Sequence, residues 1–163
     1  MVVLGFDPGP KNCGWGAIES RGGRIHALGF GVISPSVEEE GGRLALILDE
    51  VRGLVRRYKP SLVAVEGMFY RRSYRATERL GKVLGVILAV CGEEGVPVEV
   101  IPPPKVKAAV AGWGGADKAA LAKAVRLILR LDGRLPQHAI DALAVALCPI
   151  LAPRPSKIFN ERP

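Results

Sequence analysis

The sequence predicts an α/β domain, a mixed sheet in which a three-strand antiparallel meander is followed by parallel strands, with helices on both faces. Two observations carry this. Short β-type apolar runs alternate with longer segments whose apolar residues recur every three or four positions, and the first three runs are separated only by turn signals. No internal repeat, linker or low-complexity stretch divides the 163 residues. One domain over residues 1–152 therefore accounts for the chain. The tail, 153–163, has three prolines and four charges with little to bury, and is expected to be mobile.

Taken in order, residues 1–6 form an apolar run that stops at Asp7-Pro8-Gly9-Pro10, a dense turn signal. Residues 15–19 and 24–34 read as two further strands around the turn Ser20-Arg21-Gly22-Gly23. The period then changes: from 39 to 58, Leu44, Ile47, Leu48, Val51, Leu54 and Val55 keep to one helix face, and Lys59-Pro60 ends it. Residues 62–65 are a short buried-type strand running straight into Glu66. A second helix, 74–94, presents a broad apolar face with Arg75, Arg79 and Lys82 near its start. Gly95 stops it and 96–101 is another strand. Pro102-Pro103-Pro104 leads into a segment holding Lys105 and Lys107. Asp117 is then the N-cap of a helix over 118–131, and a last helix spans 136–151.

Apolar residues make up 48% and charged residues 24%, which excludes wholesale disorder and collagen-like repetition. The charge is less ordinary. The net value is +7, but the first 50 residues are net −3 and the remaining 113 net +10, which points to a polyanionic partner, nucleic acid ahead of an anionic membrane. The uncharged apolar stretch 83–92 falls well short of the roughly 18–20 residues of a spanning helix, and the later run, 139–152, is broken by Asp141 and Pro149. The N-terminus lacks the basic region of a secretory signal, so the expected location is cytoplasmic. Cys13, Cys91 and Cys148 are widely spaced and odd in number, and read as small core residues rather than as a disulfide framework or thiolate zinc site.

In sheets of this kind ligands gather at the carboxyl ends of parallel strands. Two acids sit there, Asp7 after the first strand and Glu66 after the fourth. Singly, each also reads as a turn initiator or a solvated cap; together, two carboxylates closing buried strands favour a cation. His138 and Asp141 are three apart, on one face of the last helix, within an apolar segment. Asp7, Glu66, His138 and Asp141 are a donor set suited to Mg²⁺ or Mn²⁺, and two ions about 3.5–4 Å apart activate a water and stabilise the leaving oxygen of a phosphodiester.

The sequence resembles the RuvC-type Holliday-junction resolvases, crossover junction endodeoxyribonucleases of the ribonuclease-H-like fold, over nearly its whole length. The resemblance rests on Gly5-Phe6-Asp7-Pro8-Gly9 with Gly14-Trp15-Gly16 behind it, on residues 64–70 around Glu66, on Val106-Lys107 followed by Gly112 to Lys118, and on residues 138–144. It implies that Asp7, Glu66 and Asp141 are catalytic metal ligands and that His138 takes the fourth position, where several members carry Asp. Imidazole is softer than carboxylate, so Mn²⁺ is expected to support activity at least as well as Mg²⁺. Lys107 and Lys118 match lysines near the scissile phosphate, and Phe69 matches an aromatic that stacks on unpaired bases at the crossover. Tyr70, Arg71, Arg72 and Arg75 extend that surface, and Lys105 joins Lys107 and Lys118 as a candidate phosphate contact.

The implied substrate is four-way junction DNA, cut by paired symmetric nicks during recombination and repair. Two nicks call for two active sites, hence a homodimer, for which the 83–91 face resembles the dimer helix. The resemblance also implies a branch-migration motor as partner. Three alternatives share the pattern: a small ribonuclease-H-like nuclease acting on RNA ends, a non-catalytic branched-DNA-binding protein, and an actin-like kinase or ATPase. The last pairs two such domains around its nucleotide, and 163 residues hold only one.

Overall fold

Period-two alternation in the opening strand sets the architecture. Val2–Asp7 (β1) sends Val3 and Gly5 to one face and Leu4 and Phe6 to the other, and each face is covered by its own helical layer. The computed structural model describes residues 1–67, 74–152 and 158–159. After β1 come Cys13–Arg21 (β2), Arg24–Ile33 (β3), Glu40–Tyr58 (α1), Leu62–Glu66 (β4), Tyr74–Glu93 (α2), Val98–Ile101 (β5), Pro103–Ala111 (α3), Lys118–Leu129 (α4), Gln137–Leu151 (α5) and Ile158–Phe159 (β6). The sheet order is β3-β2-β1-β4-β5-β6. The meander β1–β2–β3 is antiparallel, β4 and β5 add in parallel beside β1, and β6 closes the edge antiparallel to β5.

One face packs Leu4, Phe6, Val63, Val65 and Val98 against α1 and α2, through Ile47, Val51, Val83, Ile87 and Val90. Exposed ion pairs, Arg52–Glu93 and Arg56–Glu94 at 2.8 Å each, bind these two helices to one another and fix their register more than they add stability. The other face packs Val3, Ile18, Ala64 and Ile101 against α3, α4 and α5. Helix α5 is buried from Ala142 through Cys148, as a helix laid directly on a sheet must be.

That close approach depends on glycine. A Cβ on Gly5 would stand 2.7 Å from the Ala146 nitrogen, and one on Gly14 would overlap the His138 carbonyl oxygen. Bare backbone at these two points of β1 and β2 lets the first turns of α5 rest on the sheet.

Two elements depart from the sequence expectation. The proline run is the beginning of α3, not merely a leader into it: Pro103 and Pro104 occupy the first turn, where the missing N–H groups have no intrahelical partner to lose. Strand β6 lies inside the tail, where two residues are too few for any periodicity to register. Cys13, Cys91 and Cys148 are free and buried, and burial pushes their thiols up to about 12, 12 and 11. Among the described residues no helix is long and apolar enough to cross a membrane.

Candidate active site

The parity that builds the core also delivers the acids. Asp7 follows Val3 and Gly5 on the α5 face of β1, and Glu66 follows Ala64 on the same face of β4. Gly5 pairs with Ala64 and Phe6 with Val65, so Asp7 and Glu66 end neighbouring parallel strands at one level. The turn after β1 and the starts of α3, α4 and α5 rise around them, enclosing a cavity of about 510 Å³. Its wall includes Asp7, Glu66, His138 and Asp141 together with Lys107 and Lys118. All six residues expected to be catalytic thus share one cavity.

Helix α5 contributes His138 from its first turn and Asp141 from the start of its second, with Gly14 seated against His138 and Gly5 against Ala142 and Ala146. His138 Nδ1 lies 2.8 Å from Asp7 Oδ2, the ring N–H donating to a carboxylate that can only accept. The Asp7 side chain is 16% exposed and that of His138 46%. Gln137 Nε2 donates to Asp141 Oδ1 at 2.8 Å. Burial holds the Asp141 carboxyl above its usual range and the Asp7 charge pushes the same way; the Gln137 amide, Lys118 and His138 offset part of this. A cation among these groups would relieve both the desolvation and the carboxylate–carboxylate repulsion.

Three carboxylates and an imidazole facing one cavity fit a hard divalent metal by donor chemistry. Among the described residues no three His, Cys, Asp or Glu side chains are gathered around one point.

The remaining candidates are placed differently. Phe69, Tyr70, Arg71 and Arg72 lie outside the described residues. Arg75 is exposed on the first turn of α2 and is not part of the cavity wall. Lys105 faces away from the cavity: its Nζ pairs at 3.2 Å with Glu99, a β5 carboxylate only 4% exposed. Helix α3 separates Lys105 and Lys107 by two positions and so turns them to different sides.

Two residues of the site escape sequence reasoning. Lys11, in the turn after β1, lines the cavity. Gln137 stands four residues before Asp141, the Gln-to-Asp spacing at which a helix brings amide and carboxylate together, and that spacing is the signal that would have found it.

Known proteins resemble this chain in both sequence and fold. The family model described as Crossover junction endodeoxyribonuclease RuvC matches residues 3–149. The RuvC of Heliobacterium modesticaldum is 38% identical over 150 residues, covering 91% of this chain and 93% of that protein. Among solved structures, Thermus thermophilus RuvC superposes with a TM-score of 0.82 at 38% identity, covering 91% of this chain and 92% of that one. T. thermophilus RuvC in complex with Holliday junction substrate gives 0.87 at 37% identity, covering 93% of both chains.

Proposed function

Because this chain belongs to the RuvC family of crossover junction endodeoxyribonucleases, we propose that it resolves four-way DNA junctions, nicking two strands of like polarity by metal-dependent phosphodiester hydrolysis. The observation that carries the reading is the single cavity at the carboxyl ends of β1 and β4, where Asp7, Glu66, His138 and Asp141 meet Lys107 and Lys118. A relative of the same fold, 37% identical, was solved with a Holliday junction as its substrate.

Asp7, Glu66, His138 and Asp141 would hold the divalent metal, Mg²⁺ or Mn²⁺, as a pair of ions in each site. Such ions supply an activated water and stabilise the leaving oxygen. The chain's own contribution is placement. Gly5 and Gly14 set α5 against the strand ends, Gln137 orients the Asp141 carboxylate, and Lys107 and Lys118 bring ammonium charge to the phosphate as negative charge grows on it. The imidazole of His138 makes Mn²⁺ at least as effective as Mg²⁺. Two nicks need two sites, so the working form is a homodimer, with the half-buried Leu84 and Leu88 of α2 available to a second copy. A branch-migration motor is its partner and the cytoplasm its place of action.

The test is incubation with a synthetic four-way junction, matching duplex and single-stranded RNA, in Mg²⁺ or Mn²⁺, beside Asp7→Asn. Paired nicks confined to the junction and lost in Asp7→Asn are expected, with Mn²⁺ matching or exceeding Mg²⁺. RNA degradation without junction cleavage would overturn the reading.

A further inference from the structure

A second cavity, of about 410 Å³, lies on the other side of the turn that follows β1, and Pro10 and Lys11 of that turn line both cavities. Its far walls are the start of α1, with Glu40 and Arg43, and the second turn of α2, with Arg79 and Lys82. Four cationic side chains face one carboxylate.

Only part of that charge is neutralised. Lys82 Nζ is 2.9 Å from both Glu40 and Glu78, so its charge is spent within the protein. Arg43 donates to the carbonyls of Val37 and Glu38 at 3.2 and 2.8 Å, and its charge also helps to hold the Glu39 carboxyl below its usual range, so it is compensated in part. Lys11 and Arg79 are exposed and have no ion pair among the described residues. Among the described residues that line the cavity none is aromatic. Exposed cations that no carboxylate pairs with recognise phosphate.

We propose that this cavity is a second phosphate-binding subsite, in which Lys11, Arg43 and Arg79 hold the backbone of the DNA strand whose scissile phosphate occupies the catalytic cavity, the strand crossing the turn at Pro10. The proposal rests on the resolvase reading and adds a strand path to it. Helix α2 supports the continuity, since Leu80 lines the catalytic cavity while Arg79 and Lys82, its neighbours on the same turn, line the second. A strand held on both sides of the turn has its phosphate fixed before any metal-dependent step begins.

The experiment is junction binding by fluorescence anisotropy in EDTA, where no strand is cut, over about 50 to 200 mM salt. Arg79→Gln is expected to raise Kd about three- to tenfold and to make the log–log salt slope shallower by about 0.9. Arg79→Lys, which keeps the charge, should retain the wild-type slope. Arg24→Gln makes the same charge change on the β2–β3 hairpin, at the opposite end of the strands, and should leave both quantities unchanged. Wild-type binding with Arg79→Gln indistinguishable from it, or no weaker than Arg24→Gln, overturns the subsite alone. A wild-type chain that does not bind the junction overturns the resolvase reading and the subsite with it.

Discussion

Two lysines two positions apart on α3 have different surroundings. Lys107 lines the catalytic cavity, whereas Lys105 pairs with Glu99 of β5. Removing Lys105 leaves a nearly inaccessible carboxylate without its cation, a change that costs about 3–5 kcal/mol for a fully buried pair. The Lys105 side chain is 32% exposed, so water compensates in part and about 2 kcal/mol is the better figure. Lys105→Met should therefore lower the denaturant midpoint at unchanged m-value while the folded variant still cuts junctions at the wild-type level. Lys107→Met should do the reverse. Loss of cleavage in Lys105→Met under conditions where it is fully folded would return that residue to the DNA interface.

At the scale of elements, the contact between α5 and the meander is the most demanding in the fold, and its cost falls on glycines. Gly14→Ala places a methyl group into the His138 carbonyl and 3.1 Å from the His138 Cβ, so the first turn of α5 must lift. His138 rides on that turn and Asp141 begins the next. A displacement of about 1 Å is enough to cost on the order of 10²-fold in rate, and Gly14→Ala should show a loss of that size in single-turnover junction cleavage. Gly53 is the control, an exposed mid-helix glycine of α1 whose added Cβ meets nothing within 4 Å. Gly53→Ala should stabilise the chain by about 0.5–1 kcal/mol and leave cleavage unchanged. Most of this architecture was legible beforehand because periods of two and three-to-four residues are strong over β1 to α2 and over α5, and the four metal-binding candidates sit where those periods end. Helix α3 was not legible, since its three-proline entry masks a helix that begins within it, and with α3 unseen the facing of Lys105 could not be worked out. The second cavity was beyond reach for a different reason: Lys11, Arg43 and Arg79 share no element and no spacing, and only the packing of α1 against α2 unites them.

Across the whole molecule, the charge of +7 is not what the scissile phosphate meets. Asp7, Glu66 and Asp141 face Lys11, Lys107 and Lys118 within one cavity, so its charge is balanced before metal arrives, and attraction for DNA comes from cations around it. The carboxylates then oppose the phosphate that the rest of the surface draws in. Neutralising one of them should help binding in the absence of metal: Asp7→Asn in EDTA is expected to tighten junction binding about threefold, a unit charge a few ångströms from phosphate in wet surroundings being worth around 1 kcal/mol or less. Asparagine still offers an oxygen to the His138 ring N–H, so the local geometry has a means of surviving the change. Ca²⁺, taken up by oxygen ligands in flexible geometry, should strengthen wild-type binding by supplying the missing positive charge, and should strengthen Asp7→Asn less because one ligand charge is gone. The two affinities therefore cross as Ca²⁺ is titrated. Weaker binding by Asp7→Asn in EDTA would mean that Asp7 contacts the DNA itself, and its assignment as a metal ligand would fall.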